Sequence, residues 1–322
     1  MTPLKIETSK YFLYKRGVPV RILLSLILLS SLISSSFAEE FGVIDIDYPE
    51  VSTDPALVFA TSGDVFELDL ANKQLVEEIN KAMLENKSVE FTFESSTSKK
   101  LSFTDRRTIK NVKVSENALI MTSVEPSSLK NNKNSILFNT YITDFDNLDI
   151  AQKYFNTMRT DTTNKSQCYN RAHVWSWELY SKRYQGRRVQ PGKVWIFFTK
   201  KYIREYKHKW WFHIAPFVRV NGEDKIIDRS FTSMPVSTKE WSDLFILSKT
   251  RCTQVNKYSS YVNNQYATDC FIMKSSVYYW QPFQLENLEK DGDIPSEWNT
   301  YELKRAYRNA IGYFTTYPPL RN

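Results

Sequence analysis

Side chains able to carry nucleophilic or acid–base catalysis at neutral pH are scarce in this chain: three cysteines and three histidines among 322 residues. Cys168 follows the polar run Thr160-Asp-Thr-Thr-Asn164, a context in which a helix starts. A helix over roughly 165–184 carries Cys168 in its first turn, where the dipole and unpaired backbone N–H groups favour a thiolate. Such a thiol is a candidate nucleophile, and it needs a base. His173 sits five positions later, about 140° round the helix, and cannot face the thiol. The charged stretch Lys200–Lys209 reads as a solvated loop or strand edge, so His208 within it is expected to be solvated, whereas His213 lies in the apolar run Trp210–Val220. Elimination leaves His213.

An acid should hold the imidazole in its working tautomer. Asn221-Gly222 ends the run, and this pair is a strong signal for a two-residue hairpin. The turn pairs Val220 with Glu223 and sets His213 opposite Ser230. Asp228 then becomes a diagonal neighbour on the same face. Asp224 pairs with Arg219 instead. A bulge at Pro216 would shift this register by one. Singly, the three residues read as a buried thiol, a core histidine and an aspartate near a turn; jointly they compose a Cys168-His213-Asp228 triad.

The elements that must position these residues fall into two groups. From about 56 to 125, short strand-like runs (Leu57–Thr61, Val65–Asp69, Val89–Phe93) surround a helix over Asn72–Met83, whose Leu75, Val76, Ile79 and Met83 recur at helical spacing. No titratable cluster there has catalytic spacing. The polar run 127–135 reads as a linker. Beyond it come helices over 148–158 and 165–184, strands at 193–198, 210–220 and 225–228, and a closing amphipathic helix over 296–314. The fold class expected is α+β, a helix packed on a mostly antiparallel sheet. The divisions are 1–38, a smaller N-terminal α+β domain over 39–135, and a catalytic domain over 136–322.

Residues 1–38 read as a secretory signal: five basic residues precede the twelve-residue apolar run Ile22–Ile33, and Ser36-Phe37-Ala38 offers a cleavage site. Twelve residues are too few for a bilayer, which needs about 20, so no stable membrane insertion is expected after removal. The segment holds five bases and one acid, so its loss lowers the net charge from +7 to +3. A nucleic-acid partner would want a concentrated basic face, and none is expected. Only 8 glycines occur where about 23 are usual, and phosphate-cradling glycine motifs are missing. Cofactor and metal are both read as none. Export to a secreted or periplasmic, oxidising compartment favours pairing of Cys252 with Cys270, which leaves Cys168 free. Closing that loop contributes about 3 kcal/mol.

The segments Ser166-Gln-Cys-Tyr-Asn-Arg-Ala-His173, Lys193-Val-Trp195, Trp211-Phe-His-Ile-Ala-Pro216 and Ile227-Asp-Arg-Ser230, with Pro235 and Trp241, resemble the bacterial protein-glutaminase (protein-glutamine deamidase) family. The resemblance spans about 165–245. It implies a transglutaminase-like or papain-like core with Cys168 as nucleophile, His213 as base and Asp228 as orienting acid. It also implies hydrolysis of glutamine side-chain amides on protein or peptide substrates, and a pro-region, which residues 39 to about 135 would supply. Gln167 reads either as a further oxyanion donor or, the commoner outcome, as a surface-facing glutamine, and Arg171 and Trp175 are expected to pack beneath the site. A cysteine peptidase or a transglutaminase would use the same triad. A non-catalytic glycan-binding module would instead use rings such as Tyr278-Tyr-Trp280 and keep Cys168 inert.

Overall fold

Phe41–Asp47 (β1), buried at all but Ile44 and Asp45, is the centre of a five-stranded antiparallel sheet. The sheet runs β3-β2-β1-β4-β5, with β2 Ala56–Ala60, β3 Val65–Leu68, β4 Lys87–Phe93 and β5 Ile109–Ala118. Helix α1 (Lys73–Leu84) packs on it, begun by Asn72, whose side chain accepts the Leu75 N–H, a conventional N-cap. Phe41, Phe66, Phe91 and Ile79 fill the core between them. The computed structural model describes residues 40–51, 53–94, 103–118, 141–162, 167–247, 251–286 and 297–312. The expected export segment and the polar linker lie outside them.

The second sheet has the order β12-β11-β10-β9-β14-β13, with β6 beside β10. In chain order its part of the molecule holds β6 (Asp144–Phe145), α2 (Leu148–Thr157), α3 (Cys168–Tyr180), the small hairpin β7 (Arg183–Tyr184) and β8 (Arg187–Arg188), then β9 (Gly192–Phe198). There follow α4 (Lys200–Tyr206), β10 (Phe212–Val220), β11 (Glu223–Ile226), β12 (Val236–Ser237), α5 (Thr238–Asp243), β13 (Thr253–Val255), α6 (Tyr258–Val262), β14 (Cys270–Ser275) and α7 (Thr300–Ile311). Pairing is antiparallel except for β6–β10 and β13–β14, so the mixed α+β class with a mostly antiparallel sheet is the one observed. The near-continuous apolar run of β9 is buried along its whole length, as befits a strand covered on both faces.

Two local features differ in how they match the sequence. Asn221 and Gly222 both take positive φ, +51° and +80°, the signature of a type I′ turn. The register follows as expected, Val220 opposite Glu223 and Arg219 opposite Asp224, and Pro216 introduces no shift. The charged stretch after β9 is instead a helix, α4, and not a solvated loop or strand edge. Thr199 caps it by accepting the Tyr202 N–H, and Tyr202 and Ile203 anchor it in the core. The disulfide joins Cys252 to Cys270 and Cys168 is free.

Candidate active site

Cys168 is the first residue of α3. Gln167 precedes it in extended conformation and offers no side-chain cap, so the first N–H groups of the helix have no side chain to bond from that position. The helix is buried nearly all round, with polar residues Asn170, Arg171, His173 and Ser176 among those enclosed. Each has a partner: Asn170 Oδ1 accepts from Trp280 Nε1 at 3.1 Å, Arg171 Nε donates to Ser230 Oγ at 2.9 Å, and Ser176 Oγ donates to the Ala172 carbonyl at 2.7 Å. Arg171 thereby ties the cysteine's helix to the segment that carries Asp228. Trp175 is buried and donates to the Arg159 carbonyl. Gln167 is not at the surface. It is buried, and its Oε1 accepts from Asn170 Nδ2 at 3.0 Å and from the Tyr169 hydroxyl.

His213 stands on β10 and Asp228 two residues past β11, both almost fully buried. Their contact is His213 Nε2 to Asp228 Oδ2 at 2.7 Å. Trp241 Nε1 also donates to Oδ2, at 2.9 Å, and the Ser230 N–H donates to Oδ1 at 3.1 Å. Burial alone would raise the Asp228 pKa, but His213 and the Trp241 hydrogen bond outweigh it and hold the carboxyl below its usual range. An ionised carboxylate only accepts, so Nε2 carries a proton in this hydrogen bond. The imidazole sits in an aromatic box: Trp210 and Trp241 lie stacked at 5.7 Å each, with Phe245 at 4.7 Å and Phe231 at 5.1 Å. Sequence reasoning missed this box. Trp210 stands three positions before His213, but Phe231, Trp241 and Phe245 approach from beyond the hairpin.

The thiol lies against the same strand. Cys168 interacts with the backbone of Ile214, the neighbour of His213. Among the described residues no hydrogen bond joins Cys168 to His213. Burial pushes the Cys168 thiol up to about 12; Arg171 and the Ile214 backbone oppose this, and the carboxylates of Asp64 and Asp228 add to it. The thiol is therefore neutral in the state described. The other histidines are elsewhere. His173 is buried with Nδ1 2.7 Å from Lys193 Nζ. His208, expected to be solvated, is fully buried, and both ring nitrogens lack a partner. Its ring lies 4.2 Å from that of Phe198 and 6.2 Å from that of Phe103. Tyr279 and Trp280 are buried as well, which removes them as an open platform for glycan stacking.

Residues 60–65 of the first sheet run across the start of β10. The Val65 N–H donates to the Lys209 carbonyl at 2.7 Å, and the Trp211 N–H donates to the Gly63 carbonyl at 2.9 Å. Trp211 Nε1 donates to the Ala60 carbonyl at 2.8 Å, and Asp64 bridges to Trp210 in antiparallel fashion. Gly63 has φ +95°, a conformation other residues rarely adopt. From the same unit, the Phe103 carbonyl accepts the Lys209 N–H at 2.9 Å, and its ring packs on Trp210, Phe231 and Phe245. Among the described residues, no group of three His, Cys, Asp or Glu side chains could hold a metal ion.

Residues 145–245 match a family described as glutaminase. That span contains Cys168, His213 and Asp228 and encloses the segment, about 165–245, on which the resemblance rests. No curated protein matches the chain. Among solved structures, a mutant of pro-protein-glutaminase is similar at 13% identity and TM-score 0.45, covering 88% of this chain and 95% of the other. Pro-protein-glutaminase itself is similar at 14% identity and TM-score 0.42, covering 85% and 94%. Protein-glutaminase from Chryseobacterium proteolyticum is similar at 14% identity and TM-score 0.29, covering 56% and 97%.

Proposed function

We propose that this chain, whose residues 145–245 match the glutaminase family, is a secreted protein-glutamine deamidase acting through a thioester on Cys168. The observation that carries the reading is the buried His213–Asp228 pair, 2.7 Å apart, on the strand whose next residue meets the free thiol of Cys168. Asp228 keeps the proton on Nε2, so Nδ1 takes the thiol proton. The thiolate then attacks the carboxamide carbon of a glutamine side chain, and backbone N–H groups at the start of α3 stabilise the oxyanion. His213 returns the proton to the departing ammonia and then takes one from water, which attacks the thioester. Glutamate is released and His213 returns the proton to the departing sulfur, which regenerates Cys168, one water being consumed for each ammonia released.

The N-terminal unit acts in this reading as an inhibitory pro-region. Residues 60–65 occupy the approach to Trp210 and Trp211, and the Asp64 carboxylate disfavours the thiolate. A disulfide between Cys252 and Cys270 is compatible with export, and no helix among the described residues is long and apolar enough to cross a membrane.

The test is incubation with a glutamine-rich protein, before and after limited proteolysis of the folded chain, with ammonia and chain scission read together. Ammonia without scission, rising after the cut, is the expected result. Scission without ammonia makes the chain a peptidase. Iodoacetamide labelling of Cys168 should rise in parallel with activity; equal labelling of intact and cut protein would end the pro-region reading.

A further inference from the structure

The cations of α4 differ in where their partners come from. Lys201 Nζ pairs with Asp269 at 2.9 Å, within the same part of the molecule. The acidic partners of Lys200 and Arg204 are both on β1, in the N-terminal unit. Lys200 Nζ lies 2.7 Å from Asp45 Oδ2 and 3.5 Å from Asp47 Oδ1. Arg204 Nε donates to Asp47 Oδ2 at 2.6 Å, and its Nη2 donates to the Asp47 carbonyl at 2.8 Å. Asp47 is nearly buried in this contact and also accepts from the Tyr266 hydroxyl at 2.7 Å. If the N-terminal unit leaves, Lys200 and Arg204 lose these carboxylate partners while Lys201 keeps its own.

The main-chain groups beside them are in the same position. The Lys209 carbonyl and the Trp211 N–H and Nε1 are bonded to residues 60–65, so departure opens an edge of extended backbone next to His213. β1 and β2 are paired, Asp45 opposite Phe59 and Asp47 opposite Leu57, and the Lys200 ammonium lies over the Phe59 ring at 5.8 Å. The carboxylates on α4 and the chain against Lys209–Trp211 are therefore neighbouring parts of one covering surface. Its complement is an extended strip that accepts backbone hydrogen bonds at one end and negative charge at the other.

We infer that this strip, built from Lys200, Arg204 and the backbone of Lys209–Trp211, binds the substrate, and that it selects extended polypeptides with acidic side chains a few residues before the reacting glutamine. The inference rests on the deamidase reading and names the substrate class for it. A substrate chain laid along the path of residues 57–65 brings its glutamine towards Cys168 and its acids over α4.

Two peptides differing only in a run of Asp or a run of Lys before a single glutamine provide the test, with full-length protein used both uncut and after limited proteolysis. Affinity is read by fluorescence anisotropy on Cys168→Ser protein, and kcat/KM for ammonia release on the native sequence. The acidic peptide should be preferred by about tenfold at low ionic strength, the scale expected of two partly exposed ion pairs. The preference should fade in 1 M salt, where screening acts over about 3 Å. It should reverse in protein carrying Lys200→Glu with Arg204→Glu; Lys200→Gln with Arg204→Gln, checked by thermal unfolding, serves if the reversal does not fold. A ratio near one, or one unchanged by these substitutions, overturns the inference. Equal ammonia release from both peptides ends the strip and spares the deamidase, whereas charge-selective binding without ammonia release spares the strip and ends the deamidase.

Discussion

His213 and His173 are buried in the same part of the molecule, yet they meet opposite partners. His213 Nε2 faces the Asp228 carboxylate, which is itself held by Trp241 and the Ser230 amide. His173 Nδ1 faces the Lys193 amine, which also donates to the Tyr279 carbonyl. Burial drives His173 far below its ordinary pKa, with Lys193 adding to the effect, and it drives Lys193 well down too against the pull of Glu302. Both shifts run against placing a second positive charge beside the first in a buried site. A carboxylate partner supports an imidazolium that forms in passing, and an amine partner forbids it. Burial alone therefore does not mark a catalytic histidine; the partner does.

The largest expected effects test the first half of that contrast. Cys168→Ser and His213→Ala should each abolish ammonia release in folded protein. Asp228→Asn should cost up to about 10⁴-fold in kcat, because the amide preserves shape but not the charge behind the imidazolium. Combined substitutions should be little worse than the worst single one. A folded Cys168→Ser protein with native turnover would sink the enzyme reading.

A medium effect concerns the third histidine. His208 is sealed by Phe103 of the N-terminal unit, and burial, with Lys209 and Arg106 beside it, lowers its pKa from 6.5 to about 3. If the proposed pro-region opens and exposes this ring, His208 takes up a proton on opening, so docking is unperturbed above pH 6.5 and weakens as pH falls from there towards 3. The opened fraction, followed by Cys168 alkylation corrected for thiol ionisation, should rise by up to about tenfold per pH unit in that window. His208→Phe should flatten the profile, and an unchanged slope would show that other groups control opening.

The second half of the contrast predicts the smaller effects. Lys193→Met leaves the Tyr279 carbonyl and His173 Nδ1 without their donor, at a cost of about 1–3 kcal/mol in unfolding free energy. Its kcat should stay within a few-fold, read from ammonia release below the lowered Tm. Asp224→Asn should change kcat least of all. Asp224 bonds Arg219 and Lys274 at the hairpin and does not meet His213. A crippled Asp224→Asn protein would mean that the hairpin is part of the site.

What was legible in the sequence was set by neighbours along the chain. Asn221-Gly222 fixes the turn, the turn fixes the register, and the register brings Asp228 to His213 even though the ladder stops at Ile226. The pairing of Cys252 with Cys270 was legible from compartment and proximity. The misread positions depend on residues far away in sequence. His208 is buried by Phe103 and Phe198, and Gln167 is drawn inward by a relay from Trp280 through Asn170. The charged look of Lys200–Lys209 conceals a helix because Asp45 and Asp47, over 150 positions upstream, neutralise part of it.

The bridge between Cys252 and Cys270 closes at an edge strand, and it also settles an inventory. The chain has three cysteines, and with two of them oxidised to each other each molecule carries a single free thiol, the one at the start of α3. A non-reducing assay with a chromogenic thiol reagent therefore counts Cys168 alone. Its stoichiometry at completion measures the fraction of molecules with an intact nucleophile, and its time course measures how often that sulfur is uncovered.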